Sequence, residues 1–388
     1  MPLPQRHGLR RREALRAKLL DRNEAVVTIR KISRDPEGIE SLKLYVALTP
    51  QEALGADLQD PARLDEFVDR LKRGVSGSVQ KASRLHGLRV EALFRAMLVA
   101  LGGLTLLTDV DGGEPYFDDA GGPVKLPDFC IVGRDGQQLL VEVKSVSPSD
   151  PLKPHVISRT EMLGLQRYGE LMQAPVAVAH YWTAWNRWTL IPLNELKPKG
   201  RKYGIDLQDA LVCNELSRFG DSMVGTRSPL TLSLHVQQAG QQPAARDRAK
   251  VKVTGVEISA AGVALKDKQE ADIAWFLMRY GDWPAGEPQM RMKEGAPQAI
   301  ELSVSPRSED LELAKRQGFA TIGMLSSMYS SMYNELTLMP DGGVRELRHD
   351  PDPGELATII PDDYWDRDDR ALSIWKFHIE PSLRSVDV

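Results

Sequence analysis

The sequence predicts an α/β fold, because segments with apolar residues at helical spacing alternate with short apolar runs that have the length of strands. In chain order these elements are a helix at 89–101, strands at 129–132 and 139–146, a helix at 158–172, and strands at 175–182 and 188–193. The order helix, strand, strand, helix, strand is typical of a sheet that is covered by helices.

The helix predicted at 89–101 has one apolar face. Its stripe contains Leu93, Phe94, Met97, Leu98 and Leu101. With roughly 3.6 residues per turn, Glu91 lies about a quarter turn from the centre of this stripe. We therefore expect its carboxylate at the edge of the buried face, where it can point towards a neighbouring sheet. The alternative is a solvated residue on the flank of the helix.

The next two strands are separated by Gly-Arg-Asp-Gly at 133–136, which predicts a β-hairpin. Asp128 precedes the first strand, and Glu142 and Lys144 lie inside the second. Side chains alternate along a strand, so Glu142 and Lys144 should project from the same face. Burying a glutamate and a lysine in an apolar strand is costly unless both are paired. A bound divalent cation and a phosphate would supply that pairing.

Pro127-Asp128 is followed, after thirteen further residues, by Glu142-Val143-Lys144. This arrangement resembles the motif of the PD-(D/E)xK nuclease superfamily, and the resemblance covers roughly residues 85–195. It implies a restriction-endonuclease-like core, in which a mixed central sheet is flanked by helices. It also implies an enzyme that hydrolyses phosphodiester bonds, with the motif residues in its active site.

The resemblance implies Asp128, Glu142 and Lys144 as catalytic residues and Glu91 as a further metal ligand. Magnesium prefers oxygen ligands, usually one or two carboxylates with water and substrate phosphate. Asp128 and Glu142 would supply the carboxylates, the backbone carbonyl of Val143 another oxygen, and Mn²⁺ can substitute. The metal would activate a water molecule, and Lys144 would orient it or stabilise the charged phosphate. The alternative is a salt-bridged pair on an edge strand.

Other catalytic designs find little support in the sequence. The seven histidines are scattered without an HxxxH pair, and the two cysteines are too few for a zinc site or a disulfide framework. A GxxxxGK[ST] phosphate loop is missing, so an ATP-dependent step would need a partner protein. The chain shows no signal peptide and no apolar run long enough for a bilayer. We expect a cytoplasmic protein that does not bind membranes.

The charge of the chain is unevenly distributed around a net value of −4. Residues 70–96 contain seven lysines and arginines but a single acid, Glu91. This cluster leads into the candidate active-site helix, where a phosphate backbone would need neutralising. We therefore predict that Arg84 and Arg89 bind nucleic acid, the alternative being an ordinary solvated surface.

The sequence suggests three regions. Residues 1–84 are expected to form an α/β region with a basic helix, strands at 25–32 and 41–48, helical residues at 49–73 and a flexible joint at 74–77. Residues 85–200 would hold the nuclease core. Residues 201–388 would form an accessory α+β domain for recognition, oligomerisation or partner binding, with strands at 230–236 and 374–379 and a helix at 270–280.

Two groups of large side chains permit alternative interpretations. Trp182, Trp185 and Trp188 could stack on bases or belong to the core. A stripe of methionines and tyrosines between Met324 and Tyr333 could be core or a dimer interface.

These patterns together predict a metal-dependent endonuclease that acts on double-stranded DNA, in the role of a restriction or anti-phage defence effector. Cutting both strands takes two active sites, so we expect a homodimer or higher oligomer joined at least partly through residues 201–388. The alternatives are a catalytically silent nucleic-acid-binding or scaffold subunit, and an RNA-directed nuclease.

Overall fold

The computed structural model describes residues 31, 38–48, 60–110, 116–238, 251–347, 349–361, 364, 367 and 369–381. The helices are α1 (Ile39–Leu48), α2 (Pro61–Val79), α3 (Ala82–Leu101), α4 (Arg159–Met172), α5 (Leu207–Val212), α6 (Lys268–Tyr280), α7 (Leu311–Gln317), α8 (Leu325–Thr337) and α9 (Glu355–Ile359). The strands are β1 (Leu104–Asp109), β2 (Phe129–Gly133), β3 (Gln138–Val146), β4 (His155–Ser158), β5 (Val176–Trp182), β6 (Arg187–Pro192), β7 (Lys197–Lys199), β8 (Lys202–Ile205), β9 (Met223–Thr226), β10 (Leu230–Gln238), β11 (Val251–Ala260), β12 (Val263–Ala264), β13 (Gln289–Lys293), β14 (Ala296–Val304), β15 (Ala320–Met324) and β16 (Ile374–Phe377).

A mixed sheet forms the middle of the molecule, with strand order β1-β2-β3-β5-β6. Strands β3 and β5 are parallel, whereas the other neighbouring pairs are antiparallel. A parallel pair needs a crossover, which α4 provides. Side chains of α3 pack with one face of the sheet and side chains of α4 with the other. The helices and strands predicted between residues 89 and 193 are therefore confirmed, with ends that differ by a few residues.

In residues 1–84, all the regular secondary structure that the structure describes is helical. Residues 41–48 belong to α1, and residues 74–77 lie inside α2, so the predicted strand and the predicted joint are wrong. Apolar residues at helical spacing, such as Leu64, Val68 and Val75, continue α2 through the two glycines. The predicted strand at 25–32, apart from Lys31, and the basic helix before it lie outside the described residues.

Beyond residue 200 the described chain forms a second five-stranded sheet, β12-β11-β10-β14-β13, and a three-stranded sheet, β15-β9-β16. The predicted strands at 230–236 and 374–379 and the helix at 270–280 are confirmed as β10, β16 and α6. Strands β4, β8 and β7 form a small sheet beside the central one.

The methionine and tyrosine stripe lies on α8, and its central side chains are buried. Met328, Tyr329 and Tyr333 belong to the same hydrophobic cluster as Phe94 of α3 and Trp188 of β6. The core interpretation is therefore correct for these three side chains, while Met324 and Met332 of the same stripe are partly buried. Residues on both sides of position 200 share this cluster, while the domain boundaries stay a prediction. Within the described part of the chain, no helix combines the length and apolarity needed to cross a bilayer.

Candidate active site

The β2–β3 hairpin brings the motif residues together. Phe129 pairs with Val141, which places Asp128 at the open end of the hairpin beside Glu142. The Asp128 carboxylate accepts a hydrogen bond from the Val143 N–H, with an N–O distance of 2.6 Å. The Asp128 carbonyl accepts another from the N–H of Val110, just past β1. Asp128 is therefore fixed between two neighbouring strands.

Glu142 and Lys144 project from the same face of β3, as predicted. The Lys144 ammonium lies 2.6 Å from Oε1 of Glu142. Glu142 is 4% exposed and Lys144 is partly buried. Removing these two charges from water is unfavourable, and the ion pair between them offsets that cost.

Two further residues complete a cluster of charges that the sequence argument missed. The Lys125 ammonium contacts Oε1 of Glu142 and lies 2.6 Å from Oε1 of Glu161. Glu161 Oε1 also accepts from Lys144 at 2.7 Å. Two lysines and two glutamates are thus interleaved at the start of α4, where Ser158 caps the helix by accepting from the Glu161 N–H. A Ser-x-x-Glu pattern predicts the helix start, but it does not predict that the glutamate reaches β3.

The pKa values in this cluster follow from burial and from neighbouring charge. Burial, together with the negative charges of Glu142 and Glu91, raises the pKa of Asp128 to about 7 despite the hydrogen bond from Val143. For Glu161, burial acts upwards, but hydrogen bonds from Lys125 and Lys144 outweigh it and lower its pKa to about 2. The site therefore combines two neighbouring carboxylates, Asp128 and Glu142, with a set of lysine–glutamate ion pairs.

The donor set fits a divalent cation at Asp128 and Glu142. Oε2 of Glu142 is buried and has no hydrogen-bond partner among the described residues. An orphaned buried carboxylate oxygen beside a second carboxylate is what a hard cation would stabilise. Glu91 of α3 is near enough for its charge to act on Asp128. The described residues contain no group of three or more His, Cys, Asp and Glu side chains already gathered around one point. Asp128 and Glu142 alone do not complete a coordination shell, so water and phosphate would supply part of it.

A histidine pair borders the cluster. Parallel pairing of β3 with β5 sets His180 opposite Lys144, and its Nε2 lies 3.1 Å from Nδ1 of His155 on β4. His180 is fully buried and stacked on Trp182. Burial and the Lys144 charge lower the pKa of His155 to about 4. Both rings are therefore neutral near pH 7 and form a wall of the site. Sequence periodicity does not predict this pair, because 24 residues separate the two positions.

The two arginines predicted to bind nucleic acid occupy different environments. Arg84 is exposed on α3, and among the described residues its side chain donates only to Ser78, at 3.3 Å. Arg89 is 2% exposed and donates to Asn334 and Thr337 of α8, with its guanidinium over the Tyr333 ring. A side chain so enclosed has no surface to offer a phosphate backbone, so the expectation for Arg89 is corrected. Its role is to join α3 to α8.

The tryptophan cluster belongs mainly to the core. Trp182 and Trp188 are buried, and their indole N–H groups donate to Thr189 and Ser330. Trp185 is partly buried. Base stacking by Trp182 and Trp188 would require surface that these rings do not have.

No protein-family model matches this sequence, and no curated protein matches it. Among solved structures, the chain is similar to Hjc, a Holliday junction resolvase from the archaeal hyperthermophile Archaeoglobus fulgidus. The identity is 22%, the match covers 33% of this chain and 97% of that chain, and the TM-score is 0.26. A likeness this weak carries no argument, so the functional reasoning depends on the geometry of the site.

Proposed function

We propose that the protein is a metal-dependent endonuclease of the PD-(D/E)xK type that hydrolyses phosphodiester bonds in double-stranded DNA. One observation carries the proposal. The nearly buried Glu142 places one oxygen against two ammonium groups and leaves the other without a partner, next to the Asp128 carboxylate. A purely structural salt bridge would leave neither an unpaired oxygen nor a carboxylate pair.

Asp128 and Glu142 would hold Mg²⁺ or Mn²⁺, with Glu91 and the Val143 carbonyl as further proposed ligands. When bound, the metal lowers the pKa of a water molecule and stabilises charge on the phosphate. Lys144 would donate from Nζ to a non-bridging phosphate oxygen or to the attacking water. Glu161 accepts from the same ammonium at 2.7 Å and thereby keeps it protonated and oriented.

The biological role, the location and the assembly belong to the same proposal. A place in restriction or anti-phage defence is an analogy with other proteins that carry this motif. A cytoplasmic location agrees with the scarcity of cysteine. A homodimer would supply one active site for each DNA strand. The alternatives are a catalytically silent nucleic-acid-binding subunit and an RNA-directed nuclease, because the site contains no group that separates DNA from RNA.

The proposal is tested by incubating the purified protein with plasmid DNA, linear DNA and RNA, each with Mg²⁺, Mn²⁺ or EDTA. We expect metal-dependent cleavage of DNA that disappears in Glu142→Ala and Lys144→Ala. Lys153→Ala, an exposed lysine in the loop before β4, is the matched control and should cleave normally. Binding without cleavage would favour the silent subunit, and cleavage of RNA alone would change the substrate. Undiminished cleavage by Glu142→Ala would reject this active site.

A further inference from the structure

Lys125 is a second lysine in a site whose proposed chemistry needs only one. Its ammonium contacts the same oxygen of Glu142 that Lys144 contacts, and it also reaches Glu161. Its side chain is 33% exposed, against 24% for Lys144. Lys125 is therefore the more accessible of the two cations on Glu142.

The backbone at Lys125 is held in place by α4. The Lys125 N–H donates to the Gly164 carbonyl at 3.1 Å. A Cβ added at Gly164 would lie 2.9 Å from Cβ of Lys125, so only glycine permits this approach. Gly164 lies one helical turn beyond Glu161. Helix α4 therefore holds the backbone of Lys125 and also carries Glu161, the second carboxylate that the Lys125 ammonium contacts. The lysine can shift its ammonium between two carboxylates without any change in the backbone.

We propose that Lys125 is an internal counter-ion of Glu142, which a divalent cation displaces, and that Glu161 retains the displaced ammonium within the site. This inference rests on the proposed metal-dependent function. The cluster of Lys125, Lys144, Glu142 and Glu161 is neutral as it stands. A dication on Glu142 would repel both ammonium groups. Both ammonium groups also contact Glu161, and Lys125 is the one that can withdraw because it is the more exposed of the two. Near Glu161 it becomes a second cation available to substrate phosphate.

The test is calorimetric titration of the whole protein with MnCl₂ in the absence of nucleic acid. Lys125→Met keeps the aliphatic stem and removes the charge that competes with the metal, so the affinity for Mn²⁺ should rise about tenfold. Lys153→Met removes an exposed charge outside the cluster and should leave the affinity within about twofold. Glu161→Gln should weaken Mn²⁺ binding in the wild-type background, and by less in the Lys125→Met background, because part of its effect passes through Lys125.

Equal affinities in wild type and Lys125→Met would overturn the inference and leave the metal-dependent function standing. Equal effects of Glu161→Gln in both backgrounds would remove the role given to Glu161. Failure of both wild type and Lys125→Met to bind Mn²⁺ would overturn the metal-dependent function as well.

A different part of the chain carries a second, independent inference. Helix α2 has no buried residue, and Leu64, Val68, Val75 and Val79 are each between 50% and 54% exposed. With the partly buried Leu71, they form one narrow stripe at helical spacing. Tyr45 of α1 packs edge-to-face on Phe67, beside this stripe and not over it. An aliphatic stripe four turns long is an interaction surface.

The charges along α2 are complementary to those of a second copy in antiparallel orientation. The first half of α2 carries Asp65, Glu66 and Asp69 with one base, Arg63, and the second half carries Arg70, Lys72 and Arg73. Asp65 and Lys72 are the two that border the stripe. If Leu64 lies opposite Val75 of the partner subunit, then Val68 lies opposite Leu71 of the partner subunit. The same register sets Asp65 beside Lys72 of the partner subunit, twice in the dimer. Neither Asp65 nor Lys72 has an ion-pair partner among the described residues. A parallel pair would align halves of like charge.

We infer that α2 is the self-association surface of this protein and forms an antiparallel helix pair with a second copy. Sedimentation velocity of the full chain should show a dimer at micromolar concentration that Val68→Asp converts to monomer. Asp65→Lys should weaken dimerisation about tenfold or more, because it sets two lysines together, and adding Lys72→Asp should restore it. Val256→Asp, at an exposed valine of β11, is the matched control and should dimerise normally. A monomer at about 100 μM, or a dimer that is insensitive to Val68→Asp, would overturn the inference without affecting the nuclease proposal.

Discussion

Glu142 and Asp221 are both buried carboxylates, but the protein satisfies them in opposite ways. Asp221, 1% exposed, accepts from the N–H groups of Ser222 and Ser326, each at 2.9 Å, and from the Ser326 hydroxyl at 2.7 Å. Both of its oxygens therefore have neutral donors. Within the described part of the chain, Glu142 has two ammonium groups on one oxygen and no hydrogen-bond partner on the other.

The difference separates a structural carboxylate from a functional one. Asp221 satisfies N–H groups at the start of α8, so its role is local and complete. Glu142 is held by charged side chains that also contact Glu161, and its second oxygen has no hydrogen-bond partner among the described residues. Burial alone would not have distinguished the two residues, whereas the kind and number of their partners does.

The largest expected effect is that of Glu142→Gln on activity. Removing this charge should reduce DNA cleavage by about 10²–10⁴-fold, the usual range for a positioned catalytic group. The free energy of unfolding should change by about 1 kcal/mol or less, because both lysines keep Glu161 and are partly exposed. Cleavage rates and urea denaturation measure the two effects. Asp221→Asn, the control, should cleave at the wild-type rate per folded molecule.

Asp221 should make the free energy of unfolding depend on pH. Burial raises its pKa to about 6, although hydrogen bonds from Ser326 and Ser222 act downwards. A raised carboxyl pKa contributes stability that is complete below the unfolded pKa near 4 and is lost as pH rises through about 6. Wild type should therefore lose about 2 kcal/mol relative to Asp221→Asn between pH 4 and pH 6. Denaturation at several pH values measures this, and parallel profiles for the two proteins would contradict it.

The two carboxylates also show which parts of the fold and of the site can be predicted from the sequence. The hairpin, the two flanking helices and the shared face of Glu142 and Lys144 follow from periods of two and 3.6, which local sequence contains. Lys125, Glu161 and the histidine pair enter the site through tertiary packing of α4 and β4 against β3, which no local pattern encodes. Arg89 was misplaced for the same reason, because its partners lie 245 and 248 residues further along the chain.

Residues 41–48 show a different limit. Ser41, Lys43 and Tyr45 alternate with apolar neighbours as in a strand, yet Leu42, Tyr45 and Val46 also satisfy helical spacing. Contact between Tyr45 and Phe67 of α2 favours the helix. A segment of this length can satisfy both periods, and its tertiary partner decides between them.

A third carboxylate sharpens the distinction drawn from Glu142. Glu91 is partly buried on α3, and its charge adds to the raised pKa of Asp128. If it helps to hold the metal, Glu91→Gln should raise the Mg²⁺ concentration for half-maximal cleavage by about 10–100-fold, with the rate at saturating metal largely kept. Glu170→Gln, an exposed glutamate of α4, is the control. An unchanged Mg²⁺ titration would leave Glu91 as a residue on the flank of the helix.

The smallest effect concerns the arginines, to which the same reasoning about partners applies. Arg89 is satisfied by neutral acceptors inside the protein, whereas the exposed Arg84 side chain bonds only to Ser78 among the residues that the structure describes. Arg84→Glu should weaken DNA binding a few-fold and lower the slope of log K against log salt by about one unit, because one phosphate contact is lost. Fluorescence anisotropy at several salt concentrations measures the slope.

Lys268→Glu, on α6 and outside the basic cluster at 70–96, should leave the slope unchanged. Arg89→Lys should lower stability and keep the slope, since a buried side chain releases no counterions. An equal slope for Arg84→Glu and wild type would make the cluster at 70–96 an ordinary solvated surface.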